Sequence, residues 1–174
     1  MSESMVALKS LSAEDFLSAK NMERVDDTVA EVFSMMLGFD VESIPAAVPT
    51  ANPGEMNERT AIVGFSGSMR GSCEVRVDFL AAKDICVAMI GDASAEEEDS
   101  ISDALGELCN MLAGGWKNRL PSFSAECSLS PPTVISGRDY RVHMSTPSVR
   151  LVRTYRFGEH TFHLTLHQED PITA

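Results

Sequence analysis

Basic residues are scarce in this chain. Fourteen Lys and Arg stand against 26 Asp and Glu in 174 residues, for a formal net charge of −12. A surface of that sign disfavours sequence-independent binding to a phosphate backbone, so nucleic acid is excluded as an expected partner. Long apolar runs are missing as well. No stretch approaches the roughly 18 to 20 residues that a membrane-spanning helix needs. The opening residues, from Met1 to Lys9, lack the basic region and apolar core of a secretory signal. A cytoplasmic location is the resulting expectation. The four cysteines, Cys73, Cys86, Cys109 and Cys127, form no pair at metal-ligand or redox spacing. In a reducing compartment they should behave as small buried hydrophobes. There is no Gly-rich phosphate loop, no Gly-x-Ser-x-Gly elbow and no Ser-His-Asp order. His160, His163 and His167 find no acidic or Cys partner nearby in sequence to complete a metal site, and a strand with a solvent-facing side accounts for them better.

What the chain does contain suits one folded domain over residues 1–174, with residues 1–12 loosely held. The 44% hydrophobic and 23% charged content is ordinary for a globular protein with a core. Ser12 with Asp15 predicts the start of a helix that runs, with a break, to Leu37. Val25, Val29, Val32, Phe33, Met36 and Leu37 form its apolar face, and Gly38 stops it. A strand fragment at Val41 leads into a proline-containing loop. Thr60 to Ser66 and the alternating Ser72 to Leu80, joined by a turn at Gly67 to Gly71, predict an antiparallel hairpin. Ala81 to Ile90 predicts a short helix closed by Gly91. After the next helix, short strands at Ser124 to Leu129 and Thr133 to Ser136 flank a double proline. Ser148 to Phe157 and His160 to Gln168 pair across a turn at Gly158. Helices and strands in this order predict an α+β domain with helices packed on an antiparallel sheet.

The helix of greatest interest is predicted over Ser94 to Asn118. Ser94 with Glu97 forms a capping-box signature, and acidic residues 96–99 sit at the positive end of the helix dipole. Ile101, Leu105, Leu108 and Leu112 make one apolar stripe. Asp103, Glu107, Asn110 and Gly114 recur at the same steps of four, three and four. At about 100° per residue they form a second stripe roughly opposite the first. When the leucines are buried, a carboxylate and a carboxamide one turn apart therefore face outward together. Cys109 falls off that face, which argues against a catalytic thiol. An ordinary solvated face can show the same spacing. However, Asn is a poor helix-interior residue, and Gly106 costs about 1 kcal/mol against Ala. A helix carrying both is expected to present a surface, kept low and open by Gly106 and Gly114.

Asp103-x-x-x-Glu107-x-x-Asn110, followed by Met-Leu-Ala-Gly, resembles the signature of the CheC/CheX chemotaxis phosphatases. Ser130-Pro-Pro-Thr-Val-Ile-Ser-Gly137 is similar to the segment that follows this helix in the CheX branch. Val32-Phe-Ser-Met-Met-Leu-Gly38 resembles the end of that branch's first helix. The resemblance runs from about Val25 to His167. It implies a CheC-like fold, α+β, with the long helices packed on one face of a mostly antiparallel sheet. It also implies a reaction: hydrolysis of the aspartyl phosphate of a CheY-type response regulator. In that reaction Asn110 orients the attacking water, Glu107 pairs with the regulator's active-site Lys, and Asp103 has a supporting role. The protein would need no cofactor of its own, since Mg²⁺ belongs to the regulator. A homodimer joined through sheet edges is implied too. Asp27, Glu31 and Ser34 repeat the spacing on the first helix. The resemblance makes them a decayed copy, whereas chance spacing on a polar face is the other reading. Two rivals to the phosphatase remain: a non-catalytic module that docks a regulator or a flagellar-switch component, and a dimerisation domain.

Overall fold

The computed structural model describes residues 11–45, 57–91, 97–120, 126–138, 140–143 and 148–169. The chain opens with a single turn, α1 (Ala13–Phe16), capped by the Ser12 side chain, which accepts from the Asp15 amide. The helix then breaks at Leu17. Ser18 caps α2 (Ala19–Val32), which runs on through a π-helical turn, Phe33–Leu37, to a left-handed Gly38. Seven strands form one sheet: β1 (Val41–Ile44), β2 (Glu58–Gly67), β3 (Gly71–Asp78), β4 (Cys127–Leu129), β5 (Thr133–Gly137), β6 (Ser148–Phe157) and β7 (His160–Glu169). Between them lie α3 (Phe79–Ile90) and α4 (Glu98–Asn118). The strand order is β1-β6-β7-β3-β2-β4, with β5 also pairing β2, and every pairing is antiparallel.

Strand alternation sorts the side chains. Ala61, Val63 and Phe65 of β2, Cys73, Val75 and Val77 of β3, and Phe162, Leu164 and Leu166 of β7 all point to one buried face. The helices lie on that face, so their apolar stripes close a single core with it. Two polar bridges, one buried and one part-buried, fasten the layers. Asn21, fully buried, donates to the Phe16 carbonyl at 2.8 Å and accepts from Trp116 Nε1 at 3.0 Å, which ties the α1–α2 break to α4. Asp26 of α2 accepts from Arg153 Nε at 3.0 Å and from the Tyr155 hydroxyl at 2.6 Å, both on β6. Burial, with the Asp26 carboxylate beside it, pushes the Tyr155 phenol well above its ordinary range.

Several boundaries differ from expectation. β3 ends at Asp78, because the Asp78 carboxylate caps α3 by accepting from the Ala81 amide at 2.7 Å. Phe79 and Leu80 therefore start a helix instead of ending a strand; a strong cap outweighs two more residues of alternation. Met36, expected on the apolar face, is 49% exposed, because the π-helical turn rotates it away. β4 is shorter than expected, and its predicted first residues, 124 and 125, fall outside the described residues. Of the expected loose N-terminus, residues 1–10 lie outside the described residues. Leu11 is half-buried, and its carbonyl accepts from Gln168 Nε2 at 2.5 Å.

The outer sheet face is not the open surface that the alternation of β7 suggests. His167 is buried, with Nε2 3.9 Å from Glu74 of β3, and Thr60 and Thr154 are buried as well. The topology supplies the reason. β5 flanks β2, while β6 lies beyond β7, and Tyr140 of the segment between them lies on the outer face. Tyr140 bonds the Thr60 hydroxyl and lays its ring 5.7 Å from the Arg76 guanidinium.

Candidate functional site

α4 starts at Glu98, with Glu97 as its N-cap residue and no side-chain bond at the cap. The expected capping box fails on the Glu97 side, and Ser94 lies outside the described residues. The first turn carries Glu98 and Asp99, as the helix dipole favours. Arg59 of β2, itself buried, reaches Glu98 with its guanidinium and lies 5.1 Å over the Phe79 ring, anchoring this end to α3 and the sheet.

The apolar stripe is fully inside. Ile101, Leu105 and Leu108 are wholly buried, and Leu112 nearly so. That fixes the rotation of α4, and the opposite stripe follows from it: Asp103 and Glu107 are exposed, and Asn110 and Gly114 are half-buried. Among the described residues, none of Asp103, Glu107 and Asn110 makes a side-chain hydrogen bond or ion pair. Asp103 and Glu107 are like charges four residues apart. This costs an isolated helix a few tenths of a kcal/mol, and no cation among the described residues pairs with either to offset it. The stripe thus presents negative charge and a free carboxamide to whatever approaches. Cys109 faces inward as expected, wholly buried and directed at the Ala61 and Cys73 carbonyls, both 3.5 Å from its sulfur. All four cysteines are free and buried, and burial pushes Cys86 and Cys127 above the ordinary thiol range.

The role expected for Gly106 needs correction. It does not keep the outward face open; it is buried against the β4–β5 connector. A Cβ there would stand 3.2 Å from Pro132 Cγ and 3.5 Å from Val134 Cγ2. Its missing side chain is explained by close packing of β5 against α4. Gly114 faces Leu129 at an ordinary 3.7 Å. The tightest approach on α4 belongs to a glycine outside the motif: a Cβ on Gly115 would meet Thr28 Cγ2 at 2.8 Å, where α2 crosses α4.

On α2, Asp27, Glu31 and Ser34 are all exposed, so the earlier spacing also faces outward. Its acid, however, is engaged. Glu31 pairs with Arg119, which also donates from Nη1 to the Gly115 carbonyl at 3.3 Å. The two stripes therefore differ at the position that Glu31 and Glu107 share: Glu31 is paired and Glu107 is not, while Asp27 and Asp103 are both exposed.

A single antiparallel sheet with long helices crossing on one face is an α+β domain of the CheC-like class. The family model described as "Chemotaxis phosphatase CheX" matches residues 59–154, more than half of the chain, and includes α4 whole. The chain belongs to the CheX family. Its fold matches a crystal structure of chemotaxis protein CheX from Vibrio vulnificus at TM-score 0.72 and 19% identity, covering 92% of this chain and 100% of that one. It also matches the CheX-CheY-BeF3-Mg²⁺ complex from Borrelia burgdorferi at TM-score 0.69 and 18% identity, covering 86% and 98%. A protein of Thermotoga maritima named CheY-P phosphatase CheX is 32% identical over 82 residues. That match takes in 47% of this chain and spans 53% of the relative's length.

Proposed function

We propose that this protein hydrolyses the aspartyl phosphate of a CheY-type response regulator by laying α4 across the regulator's active site. The observation that carries the reading is the free pair on α4. Glu107 and Asn110 stand one turn apart, outward and without a side-chain partner among the described residues, on a helix whose rotation is locked by four buried aliphatic residues. Family membership supports it, as do the name of the Thermotoga maritima relative and the CheX–CheY complex of the Borrelia burgdorferi relative.

The chemistry asks little of the protein beyond geometry. Phosphoryl transfer depends mainly on positioning and charge stabilisation, and the regulator brings its own Mg²⁺, Lys and backbone donors. Asn110 can both donate to and accept from a water, so it can hold one in line with the phosphorus–oxygen bond in a single protonation state. Glu107 pairs with the regulator's Lys and sets the register of docking through a charge-assisted hydrogen bond. Asp103, one turn before Glu107 on the same stripe, adds attraction for the same cationic surface. A hundredfold acceleration corresponds to about 2.7 kcal/mol, within the reach of one well-placed positioning group.

The proposal includes a cytoplasmic location and a homodimer joined at sheet edges, where β1 on one side and β4 and β5 on the other have no further strand partner among the described residues. The test of function is phosphate release from a panel of phosphorylated receiver domains with and without this protein. Acceleration for at least one of them is the expected result. Tight binding without acceleration for any member would replace the phosphatase reading with that of a docking module.

A further inference from the structure

The connector between β4 and β5 runs beside the α4 stripe and is unusually fixed. Ser130 continues the ladder to β2, its amide donating to the Gly64 carbonyl at 2.9 Å. Its hydroxyl accepts from the Gly64 amide at 2.8 Å and donates to the Pro131 carbonyl at 2.9 Å. Two prolines follow, each with its φ locked by its ring, and Pro132 also restricts Pro131. At Thr133 the chain re-enters the sheet opposite Ile62. This short stretch is therefore held at both ends and stiff in the middle.

Its position relates it to the stripe. The Pro132 ring packs over Gly106, where an added Cβ would stand 3.2 Å from Pro132 Cγ, tighter than an ordinary van der Waals contact. Gly106 and Asn110 are four residues apart, so they belong to one row of the helix surface, a single turn from each other. Pro131, Pro132 and Thr133 are all exposed. A proline ring with one side against α4 and the other open to water, a turn from the half-buried Asn110, is a raised apolar edge beside a polar stripe. Rigid apolar groups of this kind lose little conformational freedom on binding, so the area they bury converts well into affinity.

We propose that Pro131 and Pro132 form an apolar shelf that makes a second contact with the docked receiver domain, on an exposed apolar side chain next to its aspartyl-phosphate pocket, and so help to decide which receiver is accepted. The inference rests on the docking of α4 described above, but assigns a different job to different residues. The α4 stripe supplies charge and water positioning, whereas the shelf supplies selectivity through area and shape.

The test is titration calorimetry with CheY-type receiver domains loaded with beryllofluoride and Mg²⁺, alongside phosphate-release kinetics. Pro132→Ala removes most of the ring, and Pro131→Glu places a charge on the shelf without touching α4. Both should weaken binding by about tenfold, with the loss appearing in KM more than in kcat; Pro132→Ala also loses packing against Gly106, whereas Pro131→Glu should leave the unfolding temperature unmoved. Affinities within about twofold of the parent for both variants would overturn the shelf, as would a loss in Pro131→Glu that tracks a fall in unfolding temperature. Asn110→Ala separates the two readings. If it keeps the parent's rate while the proline variants lose affinity, the catalytic assignment fails and the shelf stands. If no receiver binds the parent protein, both fall.

Discussion

Glu31 and Glu107 hold the same place in two copies of one spacing, and their surroundings separate them. Glu31 is engaged by Arg119, 88 positions away in sequence, whereas Glu107 has no partner among the described residues. Glu107→Ala is therefore expected to reduce phosphate release from the responsive receiver by tenfold or more, roughly the worth of one charge-assisted hydrogen bond at 1.5–3 kcal/mol. Glu31→Ala should leave that rate within about twofold and act on stability instead, by less than about 1 kcal/mol as an exposed pair. Initial rates and thermal melts on both variants check this. The outward stripe was legible from sequence because helical angle is set by geometry alone, so burying Leu105 and Leu108 dictates where Glu107 points. The capture of Glu31 was not legible, since it depends on where two distant elements meet.

At the scale of elements, α4 is held by glycines and a buried amide as much as by leucines. Gly115→Ala places a methyl 2.8 Å from Thr28 Cγ2, so either the Thr28 side chain, whose hydroxyl donates to the Arg24 carbonyl, or the helices must shift. A loss of about 1–3 kcal/mol is expected, read as a lower midpoint in urea with the slope unchanged. Asn21→Ala leaves Trp116 Nε1 and the Phe16 carbonyl without their partner. Orphaning buried polar groups should cost about 1–3 kcal/mol, measured in the same way. Element types were readable from periodicity and caps: the Ser12 cap, the break before α2, the Gly38 and Gly91 stops and the β2–β3 hairpin all appear. The errors came where a local pattern met a tertiary demand. Gly106 suggested an open surface, but its reason is the Pro132 ring packed against it, and only the assembled sheet brings β5 there.

The whole molecule adds what no local window contains. Strand order places β1 and β6 on the far side of β7, and Tyr140, between β5 and β6 in sequence, meets Thr60 and Arg76 on the outer face. His163 lies on that face, bonded to Thr154 Oγ1 at 3.0 Å. Burial holds its pKa below the usual value, Arg76 adding to the effect and Glu58 opposing it. A histidine kept neutral in the fold but free to protonate when unfolded contributes stability above the ordinary imidazole range. That contribution is lost as pH falls through its folded pKa. His163→Gln should therefore lose less stability than the parent between about pH 7.5 and 5.5, as followed by thermal melts across that range. At this scale too lies the claim on which the account depends, that two proteins complete one active site. Its most direct measurement is phosphate release from a phosphorylated receiver domain at saturating protein, comparing the parent with Asn110→Ala. The account predicts a rate lower by about a hundredfold with binding retained. An Asn110→Ala protein that dephosphorylates the receiver as fast as the parent would contradict it.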